Sequence, residues 1–163
     1  MIILKILSID RALCTACGAC EICCSIRKTK TAGTSGSRIR LERLGGAERT
    51  YVSFCQHCVE PVCLTACLKN VIHKNNDTGV VTRRTEGCFA CAACSVLCPA
   101  GAVTFDSGQN VYTTCDCCDD DPFCVKICPT GALSYAEPSK TSRDFRDVYS
   151  YNHFHRLMGE SGP

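Results

Sequence analysis

Sixteen of the 18 cysteines in this 163-residue chain fall into four groups of four, with a spacing that is typical of ligands for iron and sulfide. The most regular group begins at Cys88, follows the pattern C-x2-C-x2-C-x3-C and is followed by Pro99. Three thiolates two residues apart can bind one cubane from a single loop, and the fourth then points away towards a different cluster. One such group therefore requires another as its partner. The four groups are Cys14, Cys17, Cys20 and Cys24; Cys55, Cys58, Cys63 and Cys67; Cys88, Cys91, Cys94 and Cys98; and Cys115, Cys118, Cys124 and Cys128.

Two other uses of clustered cysteines fit this spacing less well. Zinc ribbons also contain C-x2-C pairs, but they use two separated pairs for each metal rather than three thiols at x2 and x2. Disulfide-stapled secreted scaffolds are equally rich in cysteine. The opening segment 1–8 has only a short apolar run, interrupted by Lys5 and without a basic leader, so we expect no secretory signal. We therefore expect a cytoplasmic protein whose thiols stay reduced and bind metal.

Composition excludes several other classes of protein. The chain has no apolar run long enough to span a bilayer, so we expect no direct membrane insertion. The formal net charge is +2. Because an oxidised cubane with four thiolates carries about two negative charges, four of them would bring the loaded protein to about −6, and we expect no nucleic-acid surface. A protein of this length buries little apolar surface, so metal ligation is expected to replace part of the core.

Around the cysteine groups the chain repeats one unit, which consists of a cysteine loop, a short helix, a strand, a turn and a second strand. The first strand is predicted at 2–9 and the first short helix at 21–26. Glycines at positions 101 and 131 follow Cys-Pro-x and are predicted to have a positive φ. Further strands are predicted at 38–44, 51–54, 71–74, 80–83, 102–105, 111–114 and 132–135.

The four groups, in this order and with longer gaps in the second (x4) and fourth (x5), resemble the four-cluster ferredoxin-type electron-transfer subunits of molybdenum and tungsten oxidoreductases. They are most similar to the small subunits of tungsten aldehyde oxidoreductase-type enzymes. The segments 54–63 (FCQHCVEPVC) and 128–133 (CPTGAL) are close to that family's usual wording. The resemblance covers residues 1–137. It implies an α+β fold of two pseudo-symmetric bacterial ferredoxin-like halves, with short helices and small antiparallel hairpins around four 4Fe-4S clusters. The outer half would comprise 1–45 and 111–137, and the inner half 46–110.

In that family the outer groups exchange their last cysteine, and so do the inner groups. Carried over to this protein, the resemblance implies four ligand sets. They are quartet 1 (Cys14, Cys17, Cys20, Cys128), quartet 2 (Cys24, Cys115, Cys118, Cys124), quartet 3 (Cys55, Cys58, Cys63, Cys98) and quartet 4 (Cys67, Cys88, Cys91, Cys94). Such links between distant groups would fix the fold through metal, as disulfides would through sulfur.

Departures from the family pattern concern individual cysteines. Ser25 and Leu68 follow Cys24 and Cys67 where the motif has proline, so these turns are expected to be less rigid and the neighbouring clusters wetter. Two cysteines lie outside the quartets, and we expect Cys23 and Cys117 to be surplus thiols that pack as small hydrophobes. Cys23 could alternatively replace Cys24 as a ligand.

Other polar residues near the cysteines have weaker signals. The four histidines follow no ligand spacing with a carboxylate. His57 lies inside a cysteine loop but not at a ligand position, which leaves open a hydrogen bond beside the ligands or a plain surface position. The acidic run 119–121 is either a solvated turn or a charge that lowers a cluster's potential or meets a basic partner.

The sequence predicts a non-catalytic protein, because it has no nucleotide-binding glycine loop, nucleophile elbow or metalloprotease helix, and clusters held by four thiolates leave no open iron. The predicted function is single-electron transfer in anaerobic metabolism. The resemblance implies a large catalytic oxidoreductase subunit with a tungsten or molybdenum cofactor as partner, and a flavin or ferredoxin-type carrier as the other redox partner. Formate dehydrogenase, hydrogenase and tungsten-dependent aromatic-ring reductase remain open as the enzyme. A stand-alone polyferredoxin shuttle is the alternative.

The segment 138–163 has no cysteine. Ser142 is a plausible helix N-cap, and an aromatic helical stripe follows it. This tail is predicted either to pack as a helix on the core or to dock on a partner. Self-association through the tail is a third possibility.

Overall fold

The structure is a computed structural model that describes residues 5–43 and 50–137. The predicted tail helix at 138–163 lies outside the described residues. The described strands are β1 (Ile6–Ile9), β2 (Arg40–Arg43), β3 (Thr50–Ser53), β4 (Ile72–Lys74), β5 (Val81–Arg83), β6 (Thr104–Asp106), β7 (Val111–Thr113) and β8 (Leu133–Ala136). The described helices are α1 (Ala19–Thr29), α2 (Val62–Thr65), α3 (Ala93–Val96) and α4 (Phe123–Ile127).

The strands form four two-stranded antiparallel sheets. Three are local hairpins, β2–β3, β4–β5 and β6–β7. The fourth pairs β1 with β8, with Ile6 opposite Ala136 and Ile9 opposite Leu133, and so joins the two ends of the described region. The predicted short helices and small antiparallel hairpins are confirmed.

Helix α1 is longer than the predicted segment 21–26. It begins after Gly18, which has φ 78°, and its last residue is Thr29, before the left-handed cap residue Lys30 (φ 60°). Arg27 and Lys28 lie in the last turn, where positive charge interacts favourably with the helix dipole. As a result Cys20 and Cys24 lie on the same helix.

Two small apolar cores stabilise the fold. The first contains Leu7, Ile39, Val52, Phe54 and Leu133 together with buried cysteines. The second is built from Val71, Ile72, Val81, Val103 and Cys94. Cys55 packs against both cores, so the cysteine sites are continuous with the apolar packing.

The loop between α1 and β2 packs tightly against the end of the helix. Thr29 Oγ1 donates a hydrogen bond to the carbonyl of Ser25 (2.9 Å). A Cβ atom added at Gly36 would overlap with Cγ2 of Thr29. The same loop brings the N–H of Arg38 to 3.3 Å from Sγ of Cys24. The close approach at Gly36 therefore helps to place a predicted ligand.

We expect the Gly36→Ala substitution to lower the free energy of unfolding by about 1–3 kcal/mol, because Thr29 must leave its rotamer and its hydrogen bond. Thr29→Ser removes Cγ2 but keeps the hydroxyl, so the double variant Gly36→Ala/Thr29→Ser should regain most of the loss. Anaerobic urea unfolding of the iron-loaded variants measures both effects. Equal losses in the single Gly36→Ala and the double variant would contradict this packing.

Candidate metal centres

Three of the four quartets each line a recess of their own. The recesses of quartets 1, 2 and 4 enclose about 360, 360 and 390 Å³ of non-protein space, part of it open to solvent. In each case all four thiols implied by the family resemblance line the same recess. The remaining lining of quartets 1 and 4 is largely apolar, with side chains such as Val52 and Leu133 in quartet 1 and Val71 and Phe89 in quartet 4. The lining of quartet 2 combines apolar residues such as Ile39 with charged ones.

Quartet 3 is brought together around Cys63. Burial raises the pKa of the Cys63 thiol to about 12, despite the nearby charge of Arg83. The other three thiols of quartet 3 contribute to this increase through their charges, so all four lie close together. The structure thus gathers every quartet, whereas ligation of a cluster by each of them stays a prediction.

Neighbouring quartets adjoin one another in the order 1, 2, 3, 4, and we call this series the row. Helices α1 and α4 pack against each other. Each of them contributes a cysteine to one of quartets 1 and 2 and contains or adjoins a cysteine of the other, so the two helices connect these quartets. Helices α2 and α3 connect quartets 3 and 4 in the same way. Between the two pairs, Cys55 of quartet 3 packs against the first core, which contains Cys115 of quartet 2. We call this region the junction.

All four cysteine loops have a left-handed residue at the same place, two positions after the first cysteine. These residues are Ala16 (φ 57°), His57 (46°), Ala90 (55°) and Cys117 (56°). Residues with a Cβ adopt this conformation only at a cost and where their surroundings impose it. Because Ala, His and Cys all adopt it here, the loop and not the side chain selects the conformation. The sequence gives no signal for it, since none of these residues is glycine.

A second repeated turn surrounds the last cysteine of three groups. The N–H groups of Asn70, Gly101 and Gly131 donate to the carbonyls of Cys67, Cys98 and Cys128 (3.0–3.2 Å). The prediction of a positive φ at both glycines is confirmed. Asn70 takes the equivalent place with φ 51°, so the turn after Cys67 forms without a proline.

This turn directs backbone N–H groups at the sulfur. Burial by itself would raise the pKa of the Cys67 thiol, but the N–H groups that follow in the chain, those of residues 69–72, hold it below its usual value. The pKa of Cys128 is lowered against burial in the same way, by the N–H groups of Thr130, Ala132 and Leu133. Hydrogen bonds of this type stabilise thiolates and are one of the means by which proteins set cluster potentials.

Cys24 differs from the other last cysteines because it lies inside helix α1. Its sulfur lines the recess of quartet 2 and accepts the hydrogen bond of the Arg38 N–H. The neighbouring Cys23 is buried, and its S–H donates to the carbonyl of Cys20 (3.2 Å). Burial raises the pKa of the Cys23 thiol to about 12. This arrangement favours Cys24 as the ligand and Cys23 as a packing thiol.

His57 lies at the junction, and the surface alternative for it is wrong, because only 1% of the residue is exposed. Its Nδ1 accepts the N–H of Val81 (3.0 Å), and its Nε2 lies 3.1 Å from Sγ of Cys117. A protonated nitrogen could not accept the N–H of Val81. The imidazole is therefore neutral, with its proton on Nε2.

The acidic run 119–121 makes ion pairs with residues of the same protein. Asp120 accepts hydrogen bonds from the hydroxyl of Tyr135 (2.9 Å) and from Lys5 (3.3 Å), and these two contacts lower its pKa. Asp121 pairs with Lys126. These contacts are exposed, which agrees with the interpretation of the run as a solvated turn.

Asp116 was missed by sequence reasoning, because its partners are distant in the chain. Its carboxylate pairs with Lys28 of α1 (2.8 Å) and with Arg38 (2.6 Å), and all three side chains are mostly buried. Burial would raise the pKa of Asp116, but its two cationic partners lower it. The three residues clamp α1, the loop before β2 and the cysteine loop of quartet 2 together.

The cysteine-rich region matches a known protein family. Residues 49–138 match the model of the 4Fe-4S dicluster domain. The chain therefore belongs to this family. The donor set fits the cofactor, because each quartet offers four thiols and three of the quartets line a recess. The prediction of 4Fe-4S clusters is thereby confirmed, although the family model does not test their number.

Three curated relatives indicate the kind of complex in which this family occurs. The chain is 34% identical over 131 residues to the beta subunit of NADH-dependent phenylglyoxylate dehydrogenase from Aromatoleum evansii, which covers 79% of the chain and 29% of the relative. It is 33% identical to the B component of anaerobic dimethyl sulfoxide reductase from Escherichia coli K12 (86% and 77%). It is 32% identical to the polyferredoxin-like subunit of aliphatic sulfonate oxidoreductase from Pyrococcus furiosus (71% and 66%). The predicted resemblance to ferredoxin-type electron-transfer subunits of oxidoreductases is confirmed. Within residues 5–43 and 50–137, no helix has the length and apolar character needed to cross a membrane.

We expect Asp116→Asn to lower the free energy of unfolding by about 1–3 kcal/mol, because it leaves two mostly buried cations without their carboxylate. Asp121→Asn is the matched control. It removes an exposed ion pair, so its effect should stay within about 0.5 kcal/mol. Anaerobic urea unfolding of the iron-loaded proteins compares the two. Similar losses in both variants would contradict the role of the clamp.

Proposed function

We propose that this protein is a non-catalytic electron-transfer subunit that holds four 4Fe-4S clusters in quartets 1 to 4. It relays single electrons between a large catalytic subunit with a tungsten or molybdenum cofactor and a second carrier. Each cluster, when bound, supplies a site that takes up and releases one electron. The observation that carries this proposal is the row of four thiol quartets, in which each quartet adjoins the next.

The exposure of the thiols supports electron entry and exit at the two ends of the row. Cys17 of quartet 1 and Cys91 of quartet 4 are exposed, and every other cysteine is buried or partly buried. Quartets 2 and 3 have no exposed thiol, so the protein shields the interior of the row from solvent. A relay needs this distribution, because electrons must leave to a partner at the ends but not to solvent on the way.

The relatives support a role as a subunit rather than as a free carrier. Phenylglyoxylate dehydrogenase, dimethyl sulfoxide reductase and aliphatic sulfonate oxidoreductase are all named as complexes of which the related polypeptide is one part. The domain division at residues 137 and 138 belongs to the same proposal, with the described cysteine region as the relay and the tail as a candidate docking arm. The stand-alone polyferredoxin shuttle is the alternative that the experiments below separate.

The proposed number of clusters can be measured directly. Protein prepared without oxygen should contain about sixteen iron and about sixteen acid-labile sulfide atoms per polypeptide. The double variant Cys91→Ala/Cys94→Ala should lose about a quarter of both, because it removes two ligands of quartet 4 only. Iron and sulfide assays measure these contents.

Cys23→Ala is the control for these contents, because it removes a buried thiol that lies outside the quartets. It should retain all the iron and sulfide. A loss of iron in this control, or a full-length protein that is compact with far fewer than about sixteen iron atoms, would contradict the four proposed sets.

The proposed catalytic partner can be tested through the tail. Deletion of residues 138–163 should abolish anaerobic co-purification with a large subunit that contains tungsten or molybdenum, while the iron content of the truncated protein stays unchanged. Metal analysis of the captured material identifies the cofactor. A truncated protein that still captures this subunit would refute the docking arm, and a full-length protein that captures none would favour the stand-alone shuttle. Light scattering of both forms tests self-association, which predicts a smaller particle after deletion.

A further inference from the structure

The junction between quartets 2 and 3 contains two polar side chains that ligation of the clusters does not use. His57 belongs to the loop of Cys55 and Cys58, and Cys117 belongs to the loop of Cys115 and Cys118. Each is 1% exposed. Their contact therefore connects the cysteine loops of two adjacent quartets in a place from which solvent is excluded.

These two residues occupy equivalent positions in their loops. The left-handed position two residues after the first cysteine is alanine in the loops at the ends of the row, Ala16 and Ala90. In the two loops that meet at the junction it is His57 and Cys117. Among the four loops, all of which lie in the described part of the protein, only the junction pair has hydrogen-bonding side chains at this position.

The hydrogen bonds at the junction have a defined direction. The N–H of Val81 donates to Nδ1 of His57 (3.0 Å), which leaves the imidazole proton on Nε2. Nε2 lies 3.1 Å from Sγ of Cys117, so His57 donates and the Cys117 sulfur accepts. The S–H of Cys117 is then available for another acceptor.

Sγ of Cys115 lies within reach of this S–H. The ring nitrogen of His57 and the sulfurs of Cys115 and Cys117 all lie within 4.8 Å of one another. The backbone N–H of Cys117 also points at Sγ of Cys115 (3.5 Å).

We propose that the backbone N–H of Val81 and the side chains of His57 and Cys117 form a hydrogen-bond relay, which ends on Sγ of Cys115. This relay raises the reduction potential of the cluster held by quartet 2. The inference rests on the proposed function. A hydrogen bond donated to a ligand sulfur stabilises the additional negative charge of the reduced state, so reduction becomes easier. His57 and Cys117 are positioning residues in this proposal, because they act through Cys115.

Alanine substitutions test the hydrogen-bond relay without straining the backbone, since Ala16 and Ala90 already adopt the required φ in the other two cysteine loops. Anaerobic redox titration of the full-length iron-loaded protein, followed by EPR spectroscopy, gives the potentials of its clusters. In Cys117→Ala the reduction potential of one cluster should fall by about 59 mV. For one electron, this shift lowers the ratio of reduced to oxidised cluster about tenfold at a fixed solution potential. His57→Ala should lower the same potential by a smaller amount.

Two further variants separate the relay from a merely structural role. Cys117→Ser keeps a donor and an acceptor at this position, so it should restore most of the lost potential. Cys23→Ala removes a buried thiol that donates to a carbonyl and not to a ligand sulfur, so it should leave all potentials unchanged. Iron content is measured for every variant, and Cys117→Ser together with His57→Gln replaces any alanine variant that fails to load iron.

Unchanged potentials in Cys117→Ala, an equal shift of all clusters, or a serine variant that behaves like alanine would overturn the relay while leaving the proposed function intact. One equivalent of a metal other than iron, lost on His57→Ala, would also overturn it, because the three side chains would then be metal ligands. A native protein that binds no cluster would instead overturn the proposed function and the relay together.

Discussion

The structure depends on one constraint, which is that the last thiol of each cysteine group must lie in the recess of another group. Cys128 lines the recess of quartet 1 and Cys67 that of quartet 4, far in sequence from the thiols beside them. The two apolar cores are small and are continuous with these sites. A metal site that exists only in the folded state contributes its binding free energy to folding. Ligation of the kind proposed here would therefore stabilise the fold and create its function in the same step.

The backbone around the sulfurs repeats even where the side chains differ. Ala16, His57, Ala90 and Cys117 share a left-handed φ, and the turns after Cys67, Cys98 and Cys128 share one hydrogen bond. The loop conformation directs N–H groups at sulfur, so the common part of each site is built from main chain. Side chains at the repeated positions are then free to differ between the ends of the row and its junction. This division explains how four similar loops can provide four different electrostatic environments.

Position in the row decides how each quartet relates to its surroundings. The end quartets each have one exposed cysteine, Cys17 or Cys91, whereas the inner two have none. The clamp of Asp116 with Lys28 and Arg38 holds three segments around quartet 2. All four quartets nevertheless draw their thiols from segments that are distant in the sequence.

The sequence by itself determined the four cysteine groups, the local hairpins and the positive φ of Gly101 and Gly131, because each of these depends on residues that are neighbours in the chain. Family resemblance, not spacing, indicated which groups share their last cysteine. Only the tertiary structure decided the burial of His57, its contact with Cys117 and the partners of Asp116. These features arise where separate loops meet, and such contacts result from the packing of the whole protein, which no local pattern of residues encodes.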